Sequence, residues 1–311
     1  MVNHVDDAQR VKHIEVTGAD GVRLRAWEFL GAPPGRAWGR PAPERVSGRP
    51  RTASAVLFLH GLMGRASHWA ATARRLAPHR RAVALDQRGH GASGKPDGPC
   101  GSYSRDAYVA DAEAAVEQLG LAPVVLVGHS MGALNAWQLA ARRPDLVAAL
   151  VICDMRASAI GEARRGEWEA WFGIWPVPFA DRAEARRWFG ADDPTLDRPR
   201  PARGDFFADA LEERADGWHP VFCRRHMLRS LDGWISDSHW DELAQVRCPS
   251  LVARGLDGLL GRAEAQEMVR VLPRGSYGEI ADAGHFAPWE QPDAWYDLLE
   301  DFLLGLEPGP A

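Results

Sequence analysis

The chain has 311 residues, 46% of them hydrophobic and 25% charged, with a formal net charge of −5 and a pI of about 6.1. That make-up is ordinary for a globular protein and long enough for one large domain or two small ones. It shows no basic stripe, so nucleic acid is not an expected partner, and no apolar run long enough to span a membrane, so no membrane partner is expected either.

The first residues, Met1 to Lys12, are polar and lack the apolar core of a secretory signal, which leads to the expectation of a cytoplasmic protein. Residues 13–17 and 22–30 alternate apolar and polar side chains like half-buried strands, with a turn at Gly18-Ala19-Asp20-Gly21 between them. Residues 31–53 are rich in Pro and Arg and read as a mobile insertion within the core. Strand patterns follow at 55–59, 81–85, 123–127, 147–152, 249–254 and 276–280, and helical patterns near 66–77, 104–119, 132–143, 262–272 and 292–304. Such alternation implies a parallel sheet covered on both faces.

The alternation stops between residues 155 and 245. This stretch holds Trp168, Trp171, Trp175, Trp188, Trp218, Trp234 and Trp240, seven of the chain's 13 tryptophans. A small helical unit needs large side chains for its own core, which accounts for many of them; as a set they suggest an aromatic-lined pocket for a small apolar or aromatic substrate. One of the arginines there could bind a substrate carboxylate, and the sequence does not say which. The domain reading is therefore 1–154 and 246–311 as core and 155–245 as a helical lid.

The most specific motif is Gly128-His129-Ser130-Met131-Gly132, preceded by the apolar run Val124–Val127 and followed by a helical stretch that Pro144 stops. A strand running into Gly-x-Ser-x-Gly and then a helix is the sequence form of a nucleophile elbow. The serine could merely cap the helix, but strand before and helix after favour the elbow. Upstream, His60-Gly61-Leu62-Met63-Gly64 follows a buried strand, and His285 lies in a loop before the last helix.

Five segments in this order, HGLMG (60–64), LDQRGHGASGKP (85–96), VGHSMGA (127–133), CPSLVARG (248–255) and AGHFAPWEQP (283–292), resemble the α/β-hydrolase fold superfamily, in its single-domain esterase, epoxide-hydrolase-like and haloperoxidase-like branch. The resemblance implies an α/β fold with a mostly parallel, doubly covered eight-stranded sheet and a helical lid inserted after the sixth strand. It implies Ser130 as nucleophile, His285 as general base and the backbone N–H groups of Leu62 and Met131 as oxyanion donors. Members that cleave haloalkanes or epoxides carry Asp at the nucleophile position, so Ser130 argues against those reactions.

The triad acid is less plain. Family members carry it three or four residues after the glycine that here is Gly255, and those positions are Gly258 and Leu259. Asp257 is displaced by one residue, which a Gly-containing loop could absorb. Asp154, at the end of the 147–152 strand, is the alternative, because some members place the acid there. The sequence reading favours Asp257. Asp282 reads as a loop residue, and Asp86 and Arg88 as structural.

The function expected is a serine hydrolase acting on an ester, thioester, lactone or related acyl bond. The alternatives are a carbon–carbon bond-cleaving or cyclising biosynthetic enzyme and, more remotely, a low-turnover ligand sensor on the same fold. No cofactor is expected, since no Gly-x-Gly-x-x-Gly follows a strand. No metal is expected: the pairs His60/His68 and His219/His226 lack further ligands at suitable spacing. Cys100, Cys153, Cys223 and Cys248 form no Cys-x-x-Cys motif and read as reduced, mostly buried thiols. The oligomeric state is not legible.

Overall fold

The structure is a computed structural model that describes residues 10–31, 54–97 and 100–306. The Pro/Arg-rich stretch, beyond its first residue, lies outside the described residues. Strands β1 (Val11–Thr17), β2 (Arg23–Phe29), β3 (Val56–Leu59), β4 (Ala82–Asp86), β5 (Val124–His129) and β6 (Val147–Cys153) appear first in the chain. A separate hairpin, β7 (Leu211–Arg214) and β8 (Gly217–Pro220), comes next, and β9 (Ser250–Asp257) and β10 (Gly275–Gly284) close the series. Eight of them make one sheet in the order β1-β2-β4-β3-β5-β6-β9-β10. β2 runs antiparallel to both its neighbours, and every other pairing is parallel.

Every residue of β3, β4 and β5 is buried. Their side chains alternate between two cores, Leu57 and Leu59 facing one layer and Val56 and Phe58 the other, so an unbroken apolar run suits a strand covered on both faces. Helices α1 (Ala70–Leu76), α2 (Arg105–Gln118) and α3 (Met131–Arg142) are the first layer elements. Leu76 of α1 joins the Phe58 layer, while Val109 of α2 and Leu134 of α3 join the Leu57 layer.

Between β6 and β9 the chain forms α4 (Ala163–Gly173), α5 (Arg182–Arg187), α6 (Pro201–Asp209), the β7–β8 hairpin, α7 (Arg224–Asp232) and α8 (Trp240–Gln245). The hairpin adds a small two-stranded sheet to a segment expected to be helical. It turns at Ala215-Asp216, and Gly217, paired with Arg214 at the start of β8, has φ 130°, a conformation open to glycine. The aromatic side chains mostly pack on one another: the Trp175 ring lies 4.8 Å from Trp171, 4.7 Å from Phe189 and 6.1 Å from Phe207, centroid to centroid. Helices α9 (Arg262–Val271), α10 (Ala287–Glu290) and α11 (Pro292–Leu304) complete the chain, with Met268 of α9 on the Leu57 layer and Trp295 of α11 on the Phe58 layer.

Among the described residues no helix is long and apolar enough to cross a membrane. Cys153, Cys223 and Cys248 are free thiols, Cys153 buried and the other two half-buried. Asp86 and Arg88 have structural surroundings: Asp86 accepts from Ala66 N and Ala92 N, and Arg88 forms a two-pronged pair with Asp111.

Candidate active site

Ser130 joins β5 to α3 with φ 53° and ψ −127°. Positive φ is costly for a residue with a side chain and persists only where the surroundings over-determine it. Here the cause is close packing on both sides of the turn. A Cβ on Gly128 would run into the Ala133 backbone, and one on Gly132 into the Leu59 carbonyl. The turn is pinned from the next strand, because Ser130 N donates to Cys153 O at 2.9 Å. Cys153 is the residue before Asp154, so the pairing of β5 with β6 sets Ser130 and Asp154 side by side at the carboxyl edge of the sheet, where sites in such sheets gather.

Asp154 follows β6 at φ 47° with a fully buried side chain. Its Oδ2 accepts from His285 Nδ1 at 2.6 Å and from Leu259 N at 2.9 Å, and its Oδ1 accepts from Leu260 N at 3.1 Å. A buried carboxylate is tolerable when its lone pairs are filled in this way. With Nδ1–H engaged by Asp154, the neutral imidazole presents an unprotonated Nε2.

Asp257 is not placed against His285. Its side chain is 47% exposed and pairs with Arg198, which corrects the acid favoured from the sequence. The reason is register. Asp257 is still part of β9, opposite Gly284 of β10, and the chain turns only after it. The turn carries Gly258, Leu259 and Leu260 across the end of β6, where their backbone closes over Asp154. A Cβ on Gly258 would collide with the Asp154 carboxylate. Glycine at position 258 thus leaves room for the Asp154 carboxylate arriving from β6.

His285 is delivered by an irregularity in β10: pairing with β9 shifts between Ile280 and Gly284, and Asp282 within the shift has φ 53°. Bulges of this kind re-aim a side chain at a strand end. Two part-buried contacts missed from the sequence fix the loop. His129 Nε2 donates to His285 O at 2.7 Å, and Glu290 accepts from Gly284 N. Burial, with His285 nearby, holds the His129 pKa well below its usual value, so this ring is neutral. Its position directly before the serine was the available signal.

The His60-Gly61-Leu62 turn packs on the elbow. A Cβ on Gly61 would lie 2.9 Å from His129 Nδ1 and 3.0 Å from the Ser130 Cβ. His90 Nε2 accepts from Met63 N at 3.0 Å, and His60 Nε2 accepts from Gln87 N at 3.1 Å. Met63 has φ 64°, so these buried histidines hold a strained turn. Leu62 lies in this turn and Met131 opens α3, where backbone N–H groups lack helical partners.

The family model of the α/β hydrolase fold matches residues 54–292. The chain belongs to the α/β-hydrolase fold family. It is 36% identical over 257 residues, 80% of this chain and 87% of the other, to a 2-(acetamidomethylene)succinate hydrolase of Mesorhizobium japonicum. It is 42% identical over 106 residues to an sn-1-specific diacylglycerol lipase of Mus musculus, a match that spans only 33% of either chain. A solved structure of E-2-(acetamidomethylene)succinate hydrolase superposes with a TM-score of 0.76 at 22% identity, covering 94% of this chain and 99% of that one. This family member is an enzyme of the hydrolase class.

Proposed function

We propose that the protein is a serine hydrolase that cleaves an acyl bond of a small molecule through Ser130, His285 and Asp154. The observation that carries this reading is the Asp154–His285 hydrogen bond of 2.6 Å beside a serine held at positive φ. Ser130 Oγ attacks the acyl carbon while His285 Nε2 takes its proton, and Asp154 keeps the proton on Nδ1 and stabilises the imidazolium. The N–H groups of Leu62 and Met131 receive the oxyanion, each such donor being worth roughly 3 kcal/mol in the transition state. His285 then protonates the leaving group, and water releases the acyl group from Ser130 by the same steps. The segment 155–245 serves as the lid over this site, and its aromatic rings adjoin it: the rings of Phe206 and Phe207 of α6 lie 4.8 and 5.9 Å from that of Phe286, the residue after His285, tilted and edge-on.

The bond cleaved is an ester or an amide-like acyl–nitrogen bond, in line with the succinate-derived acetamido compound named for the Mesorhizobium relative. The test is covalent labelling by a fluorophosphonate, read as intact mass. The wild type gains one adduct, and Ser130→Ala gains none while keeping its thermal unfolding transition. An adduct of equal yield on Ser130→Ala rules the assignment out.

A further inference from the structure

A cavity of about 370 Å³ opens between the β7–β8 hairpin, the start of α7 and the loop after β4. Four cationic or protonatable side chains line it, Lys95, Arg214, His219 and Arg224, with Val177 and Phe222 among the apolar walls and no Asp or Glu in the lining. Two of the four are neutralised locally: Arg214 pairs with Glu212 and His219 with Asp216, each at 2.8 Å. The other two meet only neutral oxygens. Arg224 donates through one terminal nitrogen to Phe172 O at 2.7 Å, and Lys95 Nζ donates to Gly91 O at 2.7 Å and Ser93 O at 3.1 Å. Among the described residues neither forms an ion pair with a carboxylate.

Burial lowers the pKa of both groups, and for Arg224 no counter-charge acts against it. A part-buried cation without a partner anion, as Arg224 is, is unfavourable unless something else supplies the charge, whereas Lys95 is exposed and also feels Glu212 and Asp86. The backbone adds to the deficit. Arg224 is the first residue of the nine-residue helix α7, whose N-cap, Cys223, makes no side-chain cap. The leading N–H groups of α7 are thus oriented for an anion at the same cavity that Cys223 and Arg224 line.

Packed rings, with Trp175 and Phe207 buried, stand between the cavity and the candidate catalytic site. The Arg224 guanidinium lies 5.4 Å over the Trp175 ring. Trp175 contacts Phe207 at 6.1 Å, Phe207 contacts Phe286 at 5.9 Å, and Phe286 contacts His285 at 5.3 Å.

We propose that this cavity binds a carboxylate-bearing small molecule, gripped by Arg224 and Lys95, at a place separate from Ser130. The planar fork of Arg224 matches a carboxylate, and the apolar walls suit a short hydrocarbon chain beside it. This goes beyond the hydrolase reading and does not depend on it.

The experiment is titration calorimetry with succinate and, as a neutral control, dimethyl succinate, on the wild type and on Ser130→Ala, Arg224→Gln and Lys95→Gln. Succinate is expected to bind the wild type and Ser130→Ala alike. Its affinity should fall about tenfold or more in Arg224→Gln and in Lys95→Gln, the loss of one charge-assisted hydrogen bond. Dimethyl succinate should not bind measurably. Lys95→Gln keeps the test sharp if Arg224→Gln unfolds, since Lys95 is exposed. Succinate binding no tighter than dimethyl succinate, or equal binding by wild type and both charge variants, overturns the inference. Fluorophosphonate labelling of the same samples separates the two ideas. Normal labelling without succinate binding removes the anion site alone, whereas Arg224-dependent binding without labelling removes the hydrolase reading alone.

Discussion

Replacing Asp154 by Asn separates the acid that the structure places on His285 from the one the sequence favours. Three donors converge on the Asp154 carboxylate: His285 Nδ1, Leu259 N and Leu260 N. An Asn side chain has one acceptor oxygen and one donor nitrogen, so no orientation satisfies all three. With its oxygen toward His285, its nitrogen faces the Leu260 N–H. With its nitrogen toward His285, the imidazole is driven to the tautomer protonated on Nε2, which cannot accept the serine proton. The tautomer effect corresponds to a loss of about 10⁴ in kcat in serine enzymes of this type. That is about 5.4 kcal/mol of transition-state stabilisation at 1.36 kcal/mol per tenfold. The unsatisfied buried donor adds a stability cost of about 1–3 kcal/mol.

Asp257→Asn disturbs only an exposed pair with Arg198, worth below about 1 kcal/mol, and should leave the rate within about twofold, the normal scatter for a surface change. The assay is the second-order rate of fluorophosphonate labelling, with kcat/KM for p-nitrophenyl acetate alongside. A slow Asp257→Asn beside a fast Asp154→Asn would refute the reasoning.

Further outcomes follow from the same geometry. Gly258→Ala puts a Cβ into the Asp154 carboxylate and should cut kcat/KM by about 10², the scale of a misplaced catalytic group; full activity would show that the 257–260 loop yields freely. His129→Leu removes the donor to His285 O and should lower kcat by about tenfold, the worth of one buried hydrogen bond; an unchanged kcat would make His129 a packing residue only. Stability should fall in acid. Burial lowers the His60 pKa from 6.5 to about 3, and His129 and His90 are lowered in the same direction by the same cause. Protons therefore bind the unfolded chain first, so stability is full above the unfolded pKa and declines as pH falls from 6.5 toward 3. The slope is at most about 1.4 kcal/mol per pH unit for each such histidine. Urea midpoints measured at pH 7.5 and 5.5 check this, and equal midpoints would contradict it.

Much of this protein was determined by local pattern. The strands at 55–59, 123–127 and 147–152 could be read from the sequence because a strand buried on both faces must be apolar throughout. The elbow was legible because a turn that tight requires glycine at Gly128 and Gly132, where no Cβ fits. Ser130 and His285 follow from those motifs and their order. The partner of His285 was decided by tertiary structure alone. In the sequence Asp257 and Asp154 each come after an apolar strand run, and the local signal that favoured Asp257 does not report which carboxylate meets His285. What separates them is that β6 pairs with β5, the strand that leads into Ser130, while Asp257 is held in the ladder opposite Gly284. The acid's place depends on which strand ends meet and on a glycine turn closing over one of them. Those are long-range facts, set by sheet order and register, and no window of the sequence contains them.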